Sequence, residues 1–224
     1  MTAAQRPIAM IHTVTGLVPT FDALLRTELP GWAEFNMVDE SLLRATIRDG
    51  VLSDLTTRRL AGMIASAVEA GAEAVVVTCS SLGPAVEAAR PACPVPLFRI
   101  DEGMAEAAVQ GAARIGVLAT LATTLGPTTD LIRQTAERLG RSPTITSQLV
   151  DGAFEKLAVG DTAGHDALVA AHILSLCNEV DLVVLAQASM ARAMATSAGD
   201  VRAPVLTSPE LGIRHVGKWL SGMA

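Results

Sequence analysis

Two runs in this chain, Ala74 to Thr78 and Asp181 to Ala186, are apolar almost without interruption. A strand with one wet face alternates apolar and polar residues. A strand in the middle of a parallel sheet is covered by helices on both faces and loses that alternation. Each run is therefore read as a central parallel strand, and that fixes what can surround it. Helices must lie on both faces, and the chain must cross over between successive strands.

The rest of the sequence supplies such crossovers. Pro7 to Ile11 reads as a first buried strand, followed by a helix near Thr20 to Glu28, a short strand at Glu34 to Val38 and a polar loop at Asp39-Glu40-Ser41. Thr56 to Ala70 places Leu60, Ile64, Ala67 and Val68 at helical spacing and stops at Gly71, a natural C-cap. A helix is expected over Leu82 to Ala89, stopped by Pro91, and a strand over Pro94 to Ile100. The pattern then restarts: strand Ala113 to Ala119, helix Pro127 to Leu139 closed by Gly140, strand Thr144 to Leu149, helix Asp166 to Cys177. After the second central strand come Pro204 to Thr207 and a terminal helix from Pro209. The expected class is α/β with mainly parallel sheets.

The restart is an internal repeat. Pro19-Thr20 recurs as Pro127-Thr128, which sets Thr15 opposite Thr123. At nearly the same interval Ala74–Ser80 aligns with Val183–Ser189, placing Cys79 opposite Ala188 and Ser80 opposite Ser189. Two pseudo-equivalent lobes are expected: residues 1–98 together with 207–224, whose last helix packs back, and residues 99–206.

Composition narrows the function classes. Half of the 224 residues are hydrophobic and 18% are charged, so the chain has the material for a large core and is not intrinsically disordered. Four Phe, two Trp and no Tyr leave little for a base-stacking platform, and a net charge of −6 disfavours nucleic acid or an anionic membrane. No apolar run reaches the roughly 20 residues of a spanning helix, and no signal-peptide pattern opens the chain, so cytoplasm is expected. Cys79, Cys93 and Cys177 lack metal-type spacing, and no G-x-G-x-x-G after a strand or Walker-type loop occurs. Neither a metal nor a nucleotide cofactor is expected, and what remains is chemistry at a thiol.

One thiol has a distinctive address. In Val77-Thr78-Cys79-Ser80-Ser81-Leu82-Gly83 it follows a central strand and precedes a helix, the edge where open α/β sheets bind ligands. A helix start offers free N–H groups, which favour an anion and predict a thiol that titrates low. A buried structural cysteine beside a serine N-cap fits the same residues. Gln187, Ala188 and Ser189 form the counterpart after the second central strand. His12-Thr13 and Thr120 to Thr124 put hydroxyl groups past two further strand ends, where a carboxylate can be held by neutral donors. His12 reads equally as a base, an orienting residue or a structural histidine. Asn36 ends the second strand beside the polar loop. His165, His172 and His215 fall on helices or their edges.

These residues resemble the aspartate/glutamate/hydantoin racemase superfamily, which includes arylmalonate decarboxylase and maleate isomerase. The resemblance runs over nearly the whole chain: the repeat, Thr78-Cys79-Ser80, the Thr-rich turn at 120–124 and the segment at 185–190. It implies two flavodoxin-like lobes related by a pseudo-twofold, a site in the cleft between them and small carboxylate substrates handled without a cofactor; a homo-oligomer is plausible for so apolar a chain. Racemases of this group flank the substrate carbon with one cysteine from each lobe. Cys79 matches the first, and the second base position falls at Ala188, where no proton can be moved. The resemblance then implies catalysis by a single thiol, Cys79, with His12, Thr13, Asn36, Thr78, Ser80, Ser81, Thr120, Thr123, Gln187 and Ser189 as substrate-binding candidates. Three readings follow: one-thiol chemistry, as in a decarboxylase or a cis-trans isomerase of a small diacid; racemisation with His12, Asp39, Glu40 or water as the second base; and a carboxylate-binding module without turnover.

Overall fold

The computed structural model describes residues 5–196 and 202–222. It divides into two compact units, one of residues up to Gly103 plus those from Pro209 onward, the other Met104–Ser208. Among the described residues, no helix is long and apolar enough to cross a membrane.

The first unit is built on β1 (Arg6–His12), β2 (Trp32–Val38), β3 (Ala74–Val77) and β4 (Leu97–Arg99), all parallel, in the order β2-β1-β3-β4. Alternate residues of a strand face opposite sides, and the packing follows that rule. Ala9 and Ile11 of β1, with Val75 and Val77 of β3, lie against Leu42 of α2 (Glu40–Asp49), Leu60 and Ile64 of α3 (Asp54–Glu69) and Val86 of α4 (Gly83–Ala89). Ile8 and Met10, with Ala74 and Val76, lie against Phe21 and Leu25 of α1 (Val18–Glu28) and, near the carboxyl terminus, Ile213 and Val216. The continuous apolar run of β3 is thus explained: all four of its residues are buried.

The second unit repeats the plan. Helix α5 (Glu102–Gly111) leads into β5 (Arg114–Ala119), α6 (Ala122–Arg138), β6 (Thr144–Leu149), α7 (Ala153–Ala158), α8 (Thr162–Leu176), β7 (Leu182–Leu185), α9 (Ala193–Thr196) and β8 (Val205–Thr207). Its sheet is again all parallel, in the order β6-β5-β7-β8. The chain then runs through α10 (Ser208–Leu220), which carries Ile213 and Val216 back to the first unit's core.

Several helices differ from the expectation. The polar stretch Asp39-Glu40-Ser41 is a helix start rather than a loop: the Asp39 carboxylate accepts from Ser41 N–H and caps α2. Helices α5 and α7 were not read at all, being short and alanine-containing with few large apolar residues to mark a period. Helix α6 begins at Ala122, so Pro127 lies inside it, contributing no amide donor at that turn.

Candidate active site

The carboxyl ends of β1 and β3 meet because the strands are neighbours. Thr78 N–H donates to the Ile11 carbonyl at 3.0 Å, and Asp39 N–H donates to the His12 carbonyl at 3.0 Å. These bonds bring His12, Thr13, Thr78, Cys79, Ser80 and Ser81 to one sheet edge, with Asn36 beside them on β2. His12, Thr13, Thr78, Ser80 and Ser81 are buried there, while Cys79 is partly accessible and Asn36 is exposed.

Cys79 occupies the N-cap of a single 3₁₀ turn, Ser80–Leu82, that runs directly into α4. Its sulfur is met by the Thr13 side chain, by the backbone N–H groups of Leu82 and Ser81 and by the Ser81 hydroxyl. These donors favour a thiolate. Burial opposes them and prevails, pushing the thiol above its ordinary value. The low-titrating thiol expected from a helix start is therefore not what the fold creates: desolvation of the partly buried sulfur outweighs the donors. Its alkylation by iodoacetamide is expected to be slow at pH 7 and to accelerate only above the ordinary thiol range, about 8.5. Mass-spectrometric rates at Cys79 across pH 6–11 check this; half-maximal reactivity below that range would contradict the enclosed geometry.

His12 has no exposed surface. Its Nε2 lies 2.8 Å from Asn36 Oδ1 and its Nδ1 2.9 Å from Thr78 Oγ1. Both ring nitrogens are thus engaged by side chains of the same unit. Burial lowers its pKa, against the opposing influence of Asn36 and Asp22.

Behind the Cys79 turn lies a buried ion pair that sequence reasoning missed. Arg99, at the end of β4, donates through Nε to Asp101 Oδ1 at 3.0 Å and through Nη2 to Oδ2 at 2.9 Å. Its guanidinium fills the space beside Gly83 so closely that a Cβ at that position would collide with it. Gly83 is thus the residue that lets α4 start against Arg99. The clue in sequence was Arg99-Ile100-Asp101, two opposite charges in an apolar strand end.

The second unit has a matching edge, with one correction. Cys79 stands two residues past the end of β3 and caps a 3₁₀ turn at φ −111°, ψ 108°. The residue two past the end of β7, capping the 3₁₀ turn Ala188–Arg192 at φ −127°, ψ 135°, is Gln187. Gln187, not Ala188, is the counterpart of Cys79, and Ala188 corresponds to Ser80. The expected alignment slipped by one because neighbouring residues in an apolar run are interchangeable, whereas the strand ends and caps are not. Gln187 Oε1 accepts from Thr120 N–H at 2.6 Å and Thr120 Oγ1 at 3.1 Å, which fixes the side chain and turns its amide NH₂ away from Thr120. Ser189 is partly accessible in the same turn, and the Thr123 hydroxyl oxygen is enclosed without a partner among the described residues. No group of three His, Cys, Asp or Glu side chains among the described residues is arranged to hold a metal.

The chain matches the family model for Asp/Glu/hydantoin racemase over residues 11–216. A search of curated proteins finds no significant match. Solved structures with a similar fold include a glutamate racemase from Bacillus anthracis (TM-score 0.73, 16% identity, 98% of this chain and 83% of that one). An allantoin racemase from Klebsiella pneumoniae aligns with TM-score 0.69 and 20% identity over 98% of this chain and 90% of its own. An arylmalonate decarboxylase aligns with TM-score 0.61 and 17% identity over 97% and 94% respectively.

Proposed function

The chain belongs to the Asp/Glu/hydantoin racemase family, and from that premise we propose that it is a cofactor-independent enzyme of the racemase and isomerase type, moving a proton at the carbon beside the carboxylate of a small acid, with Cys79 as its single catalytic thiol. The observation that carries this reading is the setting of the Cys79 sulfur. It is enclosed, protonated at rest and surrounded by the Thr13, Ser81 and Leu82 donors that can stabilise the anion left when it gives its proton away. In that step the S–H bond breaks, a C–H bond forms on the substrate carbanion, and water later returns a proton to the thiolate.

Gln187 favours one form of this chemistry. An amide side chain neither gives nor takes a proton near neutrality, so the position equivalent to Cys79 cannot complete a two-thiol racemisation. One-faced protonation needs no second acid. Decarboxylation of a malonate-type diacid has that character: the C–C bond breaks, carbon dioxide leaves, the electron pair stays on carbon, and the Cys79 proton quenches it. A screen of disubstituted malonates and amino acids in deuterated water tests the proposal. The expected result is a product carrying deuterium on one face only. Product deuterated equally on both faces would overturn single-thiol protonation, and no turnover or exchange with either class would favour a carboxylate-binding module.

A further inference from the structure

The bonds around His12 determine where its proton resides. The Asp22 carboxylate, when ionised, can only accept, and Asn36 Nδ2 donates to its Oδ1 at 2.9 Å. Asn36 is thereby oriented with its own oxygen toward His12 Nε2. An amide oxygen also only accepts, so Nε2 carries the hydrogen. In the neutral ring Nδ1 is then bare, and the 2.9 Å contact with Thr78 is a hydroxyl donating to imidazole. Thr78 has a second acceptor within reach, the Ile11 carbonyl at 3.2 Å. A further proton on His12 enters at Nδ1 and turns the Thr78 hydroxyl onto Ile11. One proton therefore sets which of two positions Thr78 takes.

This chain ends beside the sulfur. Thr78 immediately precedes Cys79, and Thr13, which immediately follows His12, contacts the sulfur directly. We propose that His12 is a positioning residue for Cys79: held as the Nε2–H tautomer by Asn36 and Asp22, it fixes the Thr78 hydroxyl and with it the two strand-end turns that bring donors to the thiol. The inference rests on Cys79 being the reactive thiol. Burial keeps the ring neutral, which is the state that holds Thr78 on Nδ1. Of the titratable groups on the elements packed about His12, Asp22 of α1 acts on the ring, and Cys79 follows Thr78. Arg26 of α1 and Glu34 of β2 lie 3.9 Å apart, Glu28 pairs with Arg214, and beyond β2 Asp39 pairs with Arg59 and Glu40 with Arg44.

The test combines ¹⁵N NMR of the His12 ring with alkylation rates at Cys79 measured against pH, in the full chain and in T78S, T78V and N36D. The wild-type ring is expected to show a protonated Nε2 and a bare Nδ1. T78S, which keeps the hydroxyl, is expected to retain the wild-type alkylation profile. T78V is expected to shift the rate at fixed pH about tenfold, the change that one pKa unit makes. N36D places a carboxylate on Nε2–H and raises the His12 pKa, adding an inflection near the ordinary imidazole range. An Nδ1–H tautomer in the wild type would overturn the proposal, as would unchanged profiles in both T78V and N36D. Should T78V fail to fold, the wild-type tautomer and N36D, at an exposed residue, decide the matter. Alkylation uses no substrate, so the outcome is independent of whether Cys79 proves essential for turnover.

Discussion

Replacing Cys79 by serine is expected to lower turnover about 10³-fold, the middle of the range for a lost general acid or base. The serine hydroxyl is nearly the same size, and the turn it occupies is held by backbone bonds, including Leu82 N–H to the residue 79 carbonyl at 3.1 Å. Folding should therefore be unaffected, and the loss should appear in kcat rather than KM. The reason is acidity. A hydroxyl is far too weak an acid to quench a carbanion at neutral pH, even with the donors that surround the position. Steady-state kinetics on a substrate found by the malonate and amino-acid screen, with a thermal melt as a fold control, checks this. A variant that folds normally and turns over at the wild-type rate would remove Cys79 from the mechanism.

Replacing Asp101 by alanine is expected to be the most damaging single change to stability, at about 3–5 kcal/mol. Arg99 is 4% exposed and Asp101 fully buried, and they are joined by two parallel bonds. Removing the carboxylate leaves a guanidinium in the interior without its main partner. The Glu87 carboxylate, 3.8 Å from Arg99 Nη1, remains beside the guanidinium and places the effect toward the lower end of that range. Urea unfolding monitored by circular dichroism should show an earlier midpoint with an unchanged slope. Because the guanidinium abuts Gly83, the substitution should also loosen the entry to α4 and slow alkylation-sensitive turnover at Cys79. A loss below about 1 kcal/mol would mean that water reaches Arg99 readily, contrary to its burial.

The placement of the candidate residues at strand ends was legible in the sequence. The cysteine was singled out from its place after Val75-Val76-Val77, and the strand does end two residues before it, at Val77. His12 and Thr13 were placed past one strand end and Thr78, Ser80 and Ser81 past another, and the fold makes those strands, β1 and β3, neighbours. Asp22 was not found, since it lies on α1 and reaches His12 only through Asn36 of β2. Arg99 fell inside the strand expected over Pro94 to Ile100 and Asp101 was not singled out, because burial of a charged pair leaves no periodic trace in sequence. Helix α2 escaped notice for a related reason: Asp39 and Ser41 look like loop residues until their capping bond is seen.

The fold class and the repeat are already written in the residue pattern. Two uninterrupted apolar runs require sheets covered on both faces, and strands of that kind come only with helical crossovers, so the α/β architecture followed from hydrophobic patterning alone. Patterning is insensitive to a shift of one residue inside an apolar run, and there the tertiary structure decided. Backbone pairing and the cap positions set Gln187, not Ala188, at the place equivalent to Cys79, turning an apparent vacancy into a fixed amide donor. The tertiary structure also decided the state of the thiol. Hydroxyl groups near Cys79 can be read from Thr13 and Ser81, but the balance between such donors and desolvation depends on how much of the water around the sulfur is displaced, which is a property of packing.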